Sequence, residues 1–383
     1  MTRVGVIGTG FIVRQAQQVI EGQAGLEIVK ILTRRPLDSV RDFRPELLTH
    51  SIDDVIESSD IVFESTGDPI HGTVAVEQAL RAGRKVVTMN AELHVTTGSY
   101  LADLGYLTEA DGDQPGATAL VRREALAMGF EPLAYVNIKG FLNHNPKREE
   151  MEYWSERQKL SLVETTSFTD GTKLHIEQAF CANAFGATIA QDGLLGGQVD
   201  DILETDYLAE RAREIGQPIS DYVQCGGAPP GVFVLAEHPV HETLPLYGPY
   251  EKLRTKGDKA YLLLRPYHLC GLEVAKSLTA AAEGAPVLLT NGSAPHVSAA
   301  AIAKRDMAVD TVLTHAIGSF DVRGSAIRSA ATPEHVPIGL LNGARIKRAV
   351  KAEQLITFDD VEIPESRALS IWLEELRPRF LSA

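Results

Sequence analysis

The chain has 383 residues, and 51 acidic against 37 basic residues give a formal net charge of −14 at pH 7. This charge argues against nucleic acid and anionic membranes as main partners, and no apolar run reaches the ~20 residues of a membrane span. The three cysteines show neither a zinc-binding spacing nor a disulfide framework, which is typical of a reducing compartment. We therefore expect a cytoplasmic protein of two or three domains, without a signal peptide and with a small-molecule partner.

The N-terminal segment combines a strand, a glycine turn and a helix. Val4 to Ile7 is an apolar run typical of a buried strand, and Phe11 to Glu21 has a helical pattern. Between them, Gly8 permits a tight turn and Gly10 permits a pyrophosphate to approach the helix N-terminus. Val13 occupies the third glycine position of the usual motif. A structural turn is the alternative to the predicted dinucleotide site, which comprises Gly8, Thr9, Gly10, Phe11 and Ile12.

The second predicted strand, Leu26 to Leu32, ends in Thr33-Arg34-Arg35. In a dinucleotide-binding fold, an acid at this point holds the 2′-OH of NAD, whereas arginine accommodates the 2′-phosphate of NADP. Two arginines and no acid therefore favour NADP over NAD. The alternative is that both arginines are solvated charges at the end of a strand.

Further strands are predicted at Asp60 to Glu64 and Lys85 to Met89, with a helix from Pro69 to Ala82 between them. Strands that alternate with helices predict an α/β fold with a doubly wound parallel sheet. Loops at the carboxyl ends of such strands line the ligand crevice. The predicted cofactor residues in these loops are Ser65, Thr66, Gly67 and Asn90.

An alanine-rich helix is predicted from Leu174 to Phe185, after a strand that ends at Lys139. Asp170, Lys173 and Glu177 have the spacing i, i+3, i+7, which places them on one helical face. Two acids and an amine on one face suit proton transfer in a cleft. An N-cap at Asp170 with a surface pair between Lys173 and Glu177 is the equally weighted alternative.

Two later segments carry candidate site residues. The polar run from Tyr247 to Lys259 either holds an anionic substrate group or forms a solvated hairpin. Its basic residues are Lys252, Arg254, Lys256 and Lys259. The predicted strand Tyr261 to Leu264 is followed by the candidate proton donors Tyr267 and His268. A structural role for a lone histidine is the alternative.

The last part of the chain contains an internal repeat. Ala301 to Leu313 and Ala344 to Ile356 share a Lys-Arg pair and end in two aliphatic residues. The pairs are Lys304-Arg305 and Lys347-Arg348. Two similar strand-rich copies predict a small β domain from about Pro295 to the end, separate and without a role in hydride transfer.

Longer motifs run through nearly the whole chain. They are Gly8 to Gly10, Gly112 to Pro115, Ser167 to Lys173, Ala182 to Gly186, Arg265 to Glu273, Pro337 to Leu340 and Asp359 to Ile363. In these motifs the chain resembles the homoserine-dehydrogenase-like oxidoreductases with a C-terminal SAF domain, including the deoxyxylulose 5-phosphate reductoisomerase-like enzymes. The resemblance implies an N-terminal Rossmann NADP-binding domain (1–130), a central α+β catalytic and dimerisation domain (131–294) and a small β-rich SAF-like domain (295–383).

The resemblance also implies NADPH-dependent reduction of a small hydroxylated carbonyl compound, with or without a phosphate, by a homo-oligomer (a dimer or a tetramer). By position, the active-site residues are Lys139, Asp170, Lys173, Tyr267 and His268. The expected substrate-binding residues are Glu92, Asp113, Glu177, Arg254 and Lys256. Some of these acids could ligate a divalent metal, but no spacing supports one, so the metal requirement stays open.

Two other functions remain as alternatives. One is a homoserine-type amino-acid dehydrogenase. It is weakened because Asn90-Ala91-Glu92 stands where those enzymes usually carry a lysine after an Ala-Asn pair. The other is a non-catalytic module that senses NADP(H). Candidate proton-transfer residues on separate elements argue against it, since a sensor needs none.

Overall fold

The structure is a computed structural model that describes residues 1–23, 25–239 and 252–382. It divides into two compact units, each assembled from separate stretches of chain. The first unit comprises Met1–Gly116, His268–Ser293 and Glu365–Leu376; the second comprises Ala117–Tyr267, Ala294–Pro364 and Arg377–Ala383. The residues after 294 are thus shared between the units instead of forming one of their own. The domain limits at 130 and 294 stay predictions.

The sheet of the first unit is entirely parallel. Its strands are β1 (Thr2–Ile7), β2 (Leu26–Leu32), β3 (Leu48–Thr49), β4 (Ile61–Glu64), β5 (Lys85–Thr88) and β6 (Leu107–Glu109). They are ordered β3-β2-β1-β4-β5-β6, which is the order of a doubly wound dinucleotide-binding sheet. This order confirms the predicted fold class. Because β1 is central, Val4, Val6 and Ile7 are fully buried.

Both units contain helices, which are numbered in chain order. They are α1 (Phe11–Gly22), α2 (Ile52–Ser58), α3 (Pro69–Arg81), α4 (Ala91–Leu93), α5 (Ser99–Leu104), α6 (Gln114–Ala127), α7 (Arg148–Gln158), α8 (Leu162–Thr169), α9 (Thr172–Phe185), α10 (Asp206–Ile215), α11 (Cys270–Ala282), α12 (Arg367–Ile371) and α13 (Arg377–Ser382). Two π-helical turns follow α4 and α12, at His94–Gly98 and Trp372–Leu376. Among the described residues, no helix is long and apolar enough to cross a membrane.

Helix α11 enters the first unit from the middle of the chain and packs against α1. Gly271 permits this packing, because a Cβ at that position would lie 2.8 Å from the carbonyl oxygen of Ile12. The helix therefore covers the same dinucleotide-binding helix that the N-terminal motif predicts.

The second unit contains a mixed four-stranded sheet and two smaller sheets. Its strands are β7 (Glu131–Lys139), β8 (Ile219–Gln224), β9 (Val232–Glu237), β10 (Tyr261–Arg265), β11 (Val297–Ala303), β12 (Val312–Leu313), β13 (Val322–Arg328), β14 (Ala344–Ile346) and β15 (Val361–Glu362). The sheets have the orders β10-β9-β7-β8, β11-β13 and β12-β14-β15. Helix α9 is buried along most of its length, so its polar side chains need hydrogen-bond partners within the protein.

Several elements differ from the sequence prediction. The polar segment Asn143 to Glu150, which contains Pro146, is predicted from the sequence as a loop, but α7 already begins within it at Arg148. Helix α9 begins two residues before Leu174. The helices α2, α8 and α10 and the strand β8 had no predicted counterpart. The part of the basic run that precedes Lys252 lies outside the described residues.

The two repeat copies pair with each other instead of forming two separate strand-rich units. Backbone pairing runs antiparallel from Ile302 opposite Leu355, through Met307 opposite Val350, to Leu313 opposite Ala344. Each step forward along one copy is matched by a step back along the other. The copies are therefore related by a local two-fold symmetry, and corresponding residues of each occupy equivalent backbone positions.

Candidate functional site

The two glycines of the N-terminal turn have different structural roles. Gly8 has φ +118°, and a Cβ there would lie 2.7 Å from the carbonyl oxygen of Ser65, so the turn itself requires glycine. Gly10, the N-cap of α1, has no described atom within 4 Å of a Cβ built on it. Among the described residues, no side chain caps α1, and the first turn of the helix carries no acid. An uncapped helix N-terminus beside open space at Gly10 is an arrangement that suits an anion.

The loop after β2 is tied to the glycine turn and to α3. Thr9 Oγ1 lies 3.3 Å from Thr33 Oγ1, which also accepts a hydrogen bond from the backbone N–H of Arg35. The exposed guanidinium of Arg34 contacts the carboxylate of Asp68 at 2.9 Å. Asp68 also caps α3 through its other oxygen. Sequence reasoning missed Asp68, although Asp before Pro at a predicted helix start is an N-cap signal.

Glu64, at the carboxyl end of β4, holds together two loops with predicted cofactor residues. Its fully buried carboxylate accepts hydrogen bonds from Thr66 N and Oγ1 at 2.8 and 2.6 Å, Thr88 Oγ1 at 2.6 Å and Asn90 Nδ2 at 3.0 Å. Burial raises the pKa of Glu64, while these donors act in the opposite direction. Glu64 therefore fixes the loop after β4 against the loop after β5. Beyond an acid at a strand end, no sequence signal indicated this role.

A second buried pair lies beyond α4. His94 Nε2 is 3.2 Å from Glu109 Oε2, and neither side chain is exposed. Burial lowers the pKa of His94 to about 3, so the imidazole is neutral at pH 7. Glu92 and Asp113, the predicted substrate ligands of this unit, are also almost completely buried.

The predicted donors Tyr267 and His268 fall on opposite sides of the boundary between the units. In the first unit, His268 Nε2 lies 3.3 Å from Gln114 Nε2, and its Nδ1 lies 3.9 Å from Cys270 Sγ. In the second unit, Tyr267 is half exposed, and the guanidinium of Arg265 lies 5.1 Å from its ring centroid.

The second unit brings three polar side chains of β7 and α9 together. Asn137 and Lys139 alternate on β7 and so project from the same face. Asn137 Nδ2 donates to Glu177 Oε2 at 3.1 Å, and Lys139 Nζ lies 3.8 Å from the same oxygen. Glu177 is buried, while the Lys139 side chain is 16% exposed. Lys173 lies one turn before Glu177 on the same face of α9.

Asp170 is bound differently from the sequence prediction, which joined it to Lys173 on one helical face. It is the C-cap of α8, and α9 begins only at Thr172. Asp170 Oδ1 accepts from Thr172 N at 2.8 Å, and Oδ2 accepts from Lys304 Nζ at 2.6 Å. Asp170 therefore bonds to the start of α9 from the position before the N-cap residue, Gly171. Its charged partner, Lys304, comes from the C-terminal repeat.

The opposite face of α9 is bonded to strands β11 and β13. Thr172 Oγ1 accepts from Gly324 N at 2.9 Å, and His175 Nδ1 accepts from Ala326 N at 3.1 Å. Asn183 Oδ1 accepts from Val297 N, and its Nδ2 donates to Val297 O. The C-terminal strands thus hold the helix along its length.

Two basic residues of the polar run, Arg254 and Lys256, form ion pairs with nearby acidic residues. Arg254 is almost fully buried and pairs with Asp258. Lys256 pairs with Glu204 at 2.8 Å and with Asp201 at 3.3 Å. These pairs match the hairpin alternative better than an anion site, and a substrate role for either residue stays a prediction. Among the described residues, no group of three or more His, Cys, Asp or Glu could hold a metal ion.

Comparison with known proteins identifies two matched regions. Residues 4–113 match the NAD-binding domain of homoserine dehydrogenase, and residues 112–274 match the catalytic domain of the oxidoreductase DRL. No curated protein matches the chain.

Similar solved structures include a hyperthermophilic archaeal homoserine dehydrogenase in complex with NADPH, with 12% identity and a TM-score of 0.47 over 75% of this chain and 99% of that one. A UDP-N-acetylglucosamine 3-dehydrogenase from Acidithiobacillus ferrooxidans has 14% identity and a TM-score of 0.43 over 76% of this chain and 92% of that one.

Proposed function

Because the chain carries both of these domains, it is an NAD(P)-dependent oxidoreductase of the homoserine dehydrogenase-like, DRL type, and we propose that it uses NADPH to reduce a small hydroxylated carbonyl compound. The substrate class follows the deoxyxylulose 5-phosphate reductoisomerase-like enzymes, with or without a phosphate on the substrate. The match of the central region to the DRL catalytic domain is the observation that carries the proposal. It favours this substrate class over a homoserine-type amino acid.

The first unit has the structural features that are needed to bind the phosphate groups of NADPH. The open space at Gly10 and the uncapped N-terminus of α1 fit the pyrophosphate. Arg34 and Arg35 supply positive charge for the 2′-phosphate at the end of β2. Glu64 holds Thr66 and Asn90 in fixed positions at the carboxyl edge of the sheet. When bound, NADPH supplies the hydride.

The second unit supplies the cations that a reduced carbonyl oxygen needs. Negative charge develops on that oxygen as the hydride reaches carbon, and a cation or proton donor beside it contributes typically ~10²–10⁴-fold in rate. Lys173 is the first candidate. Lys139 is the second, and its partly exposed ammonium is held near Glu177. Asn137 fixes the Glu177 carboxylate, so the lysine has a constant counter-charge.

The direct test is NADPH oxidation, measured by the loss of absorbance at 340 nm, with a panel of carbonyl substrates. The panel contains deoxyxylulose 5-phosphate, its unphosphorylated form and aspartate semialdehyde, each assayed with NADPH and with NADH. Turnover of a hydroxylated ketone with NADPH is the expected result. Exclusive turnover of the amino-acid aldehyde would replace the proposal with the homoserine-type reaction.

Single lysine variants then test the assigned chemistry. Lys173→Met should lower kcat by at least ~10²-fold and leave NADPH affinity unchanged. Lys139→Met should mainly raise KM if this lysine grips an anionic substrate group. Lys147→Met, an exposed lysine of the same unit, is the matched control. A kcat within a few-fold of wild type in Lys173→Met would leave Lys173 with a structural role only.

The homo-oligomeric state belongs to the same proposal and rests on the resemblance alone. Size-exclusion chromatography with light scattering tests it directly. A monomer mass at assay concentration would remove it without affecting the proposed chemistry.

A further inference from the structure

The ion pair between Asp170 and Lys304 is the most deeply buried in the second unit among the described residues. The two side chains are 0% and 1% exposed. Lysine is almost never fully buried without a partner, because removal of an ammonium from water costs several kcal/mol. Fully exposed pairs typically contribute only ~0–1 kcal/mol, whereas removal of one partner of a buried pair leaves an unpaired charge in the interior, so this pair can fix the local structure.

Both members of the pair have further fixed contacts. Lys304 Nζ also donates to the carbonyl oxygen of Ser319 at 2.6 Å and lies 5.9 Å from the ring centroid of Phe320. Asp170 Oδ1 accepts from Thr172 N, the first residue of α9. The pair therefore connects the loop after β11 to the point where α9 begins.

The turn that it fixes is conformationally demanding. Gly171, between α8 and α9, has φ +84°, a left-handed conformation that glycine adopts without a steric penalty. Strands β11 and β13 hold the body of α9, whereas the geometry of its first turn depends on Gly171 and on the hydrogen bonds around it. Lys173 and Glu177 lie on the first two turns of the helix, the part of α9 that adjoins this turn.

The internal repeat provides a comparison within the same chain. Lys347 corresponds to Lys304, and the paired copies give the two residues equivalent backbone positions. Lys347, however, is exposed, and its Nζ donates to the carbonyl oxygen of Phe358 at 3.3 Å. The β structure of the repeat therefore does not require a buried lysine. What distinguishes Lys304 is that it faces Asp170.

We propose that Lys304 is a positioning residue that acts through Asp170 on the first turn of α9 and thereby sets the orientation of Lys173 and Glu177. This inference rests on the proposed function only in assigning chemistry to that helical face. It removes Asp170 from direct proton transfer, and it gives the C-terminal repeat a part in the reaction that the sequence did not predict.

The test is a double-mutant cycle of Lys304→Met, Asp170→Asn and the combined variant, with Lys347→Met as the matched control. Each variant is assayed at a temperature where its circular dichroism is that of the wild type. Lys304→Met should lower kcat roughly 10- to 100-fold, the size of effect expected for a small misplacement of reacting groups. NADPH affinity should stay within two-fold of wild type, and Lys347→Met should resemble wild type in both.

The combined variant distinguishes the possible roles of Asp170. If Asp170 acts only through the pair, kcat of the combined variant should equal that of the worse single variant. Losses that multiply would mean that Asp170 acts directly on the substrate, and the proposal would be wrong. A wild-type kcat in folded Lys304→Met would also overturn it.

Amide hydrogen exchange gives a readout that needs no substrate. Peptides covering the first turn of α9 should exchange faster in Lys304→Met and in Asp170→Asn, but not in Lys347→Met. Unchanged exchange in all three variants would refute the positioning role. Faster exchange together with no turnover by the wild type on any substrate would instead count against the proposed function.

Discussion

Arg367, near the end of the chain, should stabilise the N-terminal nucleotide-binding unit. Its guanidinium donates two hydrogen bonds of 2.8 Å to the carboxylate of Glu77 on α3. Arg81 and the hydroxyl of Tyr100 donate to the same carboxylate. These donors, Arg367 first, lower the pKa of Glu77 to about 2 from its usual 4.5.

The size of the effect follows from this pKa. A shift of one unit corresponds to 1.36 kcal/mol, so the whole cluster stabilises the ionised form by roughly 3 kcal/mol. Arg367 makes the largest contribution, but its side chain is 40% exposed, and solvent screening reduces its share. We therefore expect Arg367→Met to lower the free energy of unfolding of the first unit by about 2 kcal/mol at pH 7.

The pH dependence has a defined sign. Because the pKa of Glu77 is lower in the folded state, its stabilisation is complete above pH 4.5 and is lost as the pH falls toward 2. Arg81 and Tyr100 still bond to Glu77 in the Arg367→Met variant, so the difference between wild type and variant should shrink by roughly 20% at pH 3.5 and further as the pH falls toward 2.

Tryptophan fluorescence during urea unfolding measures this effect in one unit. The sequence has two tryptophans. Trp372 is buried in the first unit, whereas Trp154 is exposed in the second. A Trp154→Phe background therefore leaves Trp372 as the only reporter.

Arg377→Met is the control, because it breaks a more exposed pair with Glu334 in the second unit. An equal loss in both arginine variants, or a loss for Arg367→Met that does not change between pH 7 and pH 3.5, would refute the reasoning.

Two further predictions concern the cofactor. Gly10→Val should strongly reduce NADPH affinity without lowering the unfolding midpoint, because the Cβ position is open. Gly8→Ala should instead lower the unfolding midpoint, because its Cβ would clash with the carbonyl oxygen of Ser65. Equal cofactor affinity of Gly10→Val and wild type, measured by fluorescence titration, would place the nucleotide elsewhere. Arg34→Asp should shift the preference from NADPH toward NADH, and a wild type that binds NADH at least as tightly as NADPH would make that assignment wrong.

The sequence predicted best what depends on residues close together in the chain. The strand, glycine turn and helix from Val4 to Glu21 form one local unit, and the structure reproduces it. Alternation of strands and helices was enough to predict the parallel sheet. The spacing of Lys173 and Glu177 correctly placed them on one face of α9, because helical periodicity is a local property.

The parts that the sequence could not predict depend on distant residues. Asp170 was paired in the prediction with its neighbour Lys173, but its bonded cation, Lys304, lies 134 residues further along. Glu64 joins two loops that are adjacent only after the sheet forms. The repeat could be recognised in the sequence, but no sequence pattern indicated that its two copies pair with each other or that α9 packs against neighbouring strands.

The first unit cannot be completed until late in synthesis on the ribosome. Glu77 and Arg367 are 290 residues apart, and at usual translation rates roughly 15–60 s separate their appearance. During that time the nascent nucleotide-binding unit first lacks both α11 and α12, and later lacks only α12 and the residues after it. The position that Trp372 will occupy is exposed to water throughout. Such exposed apolar surface is what chaperones recognise, so this unit should complete its folding only after nearly all of the chain has been made.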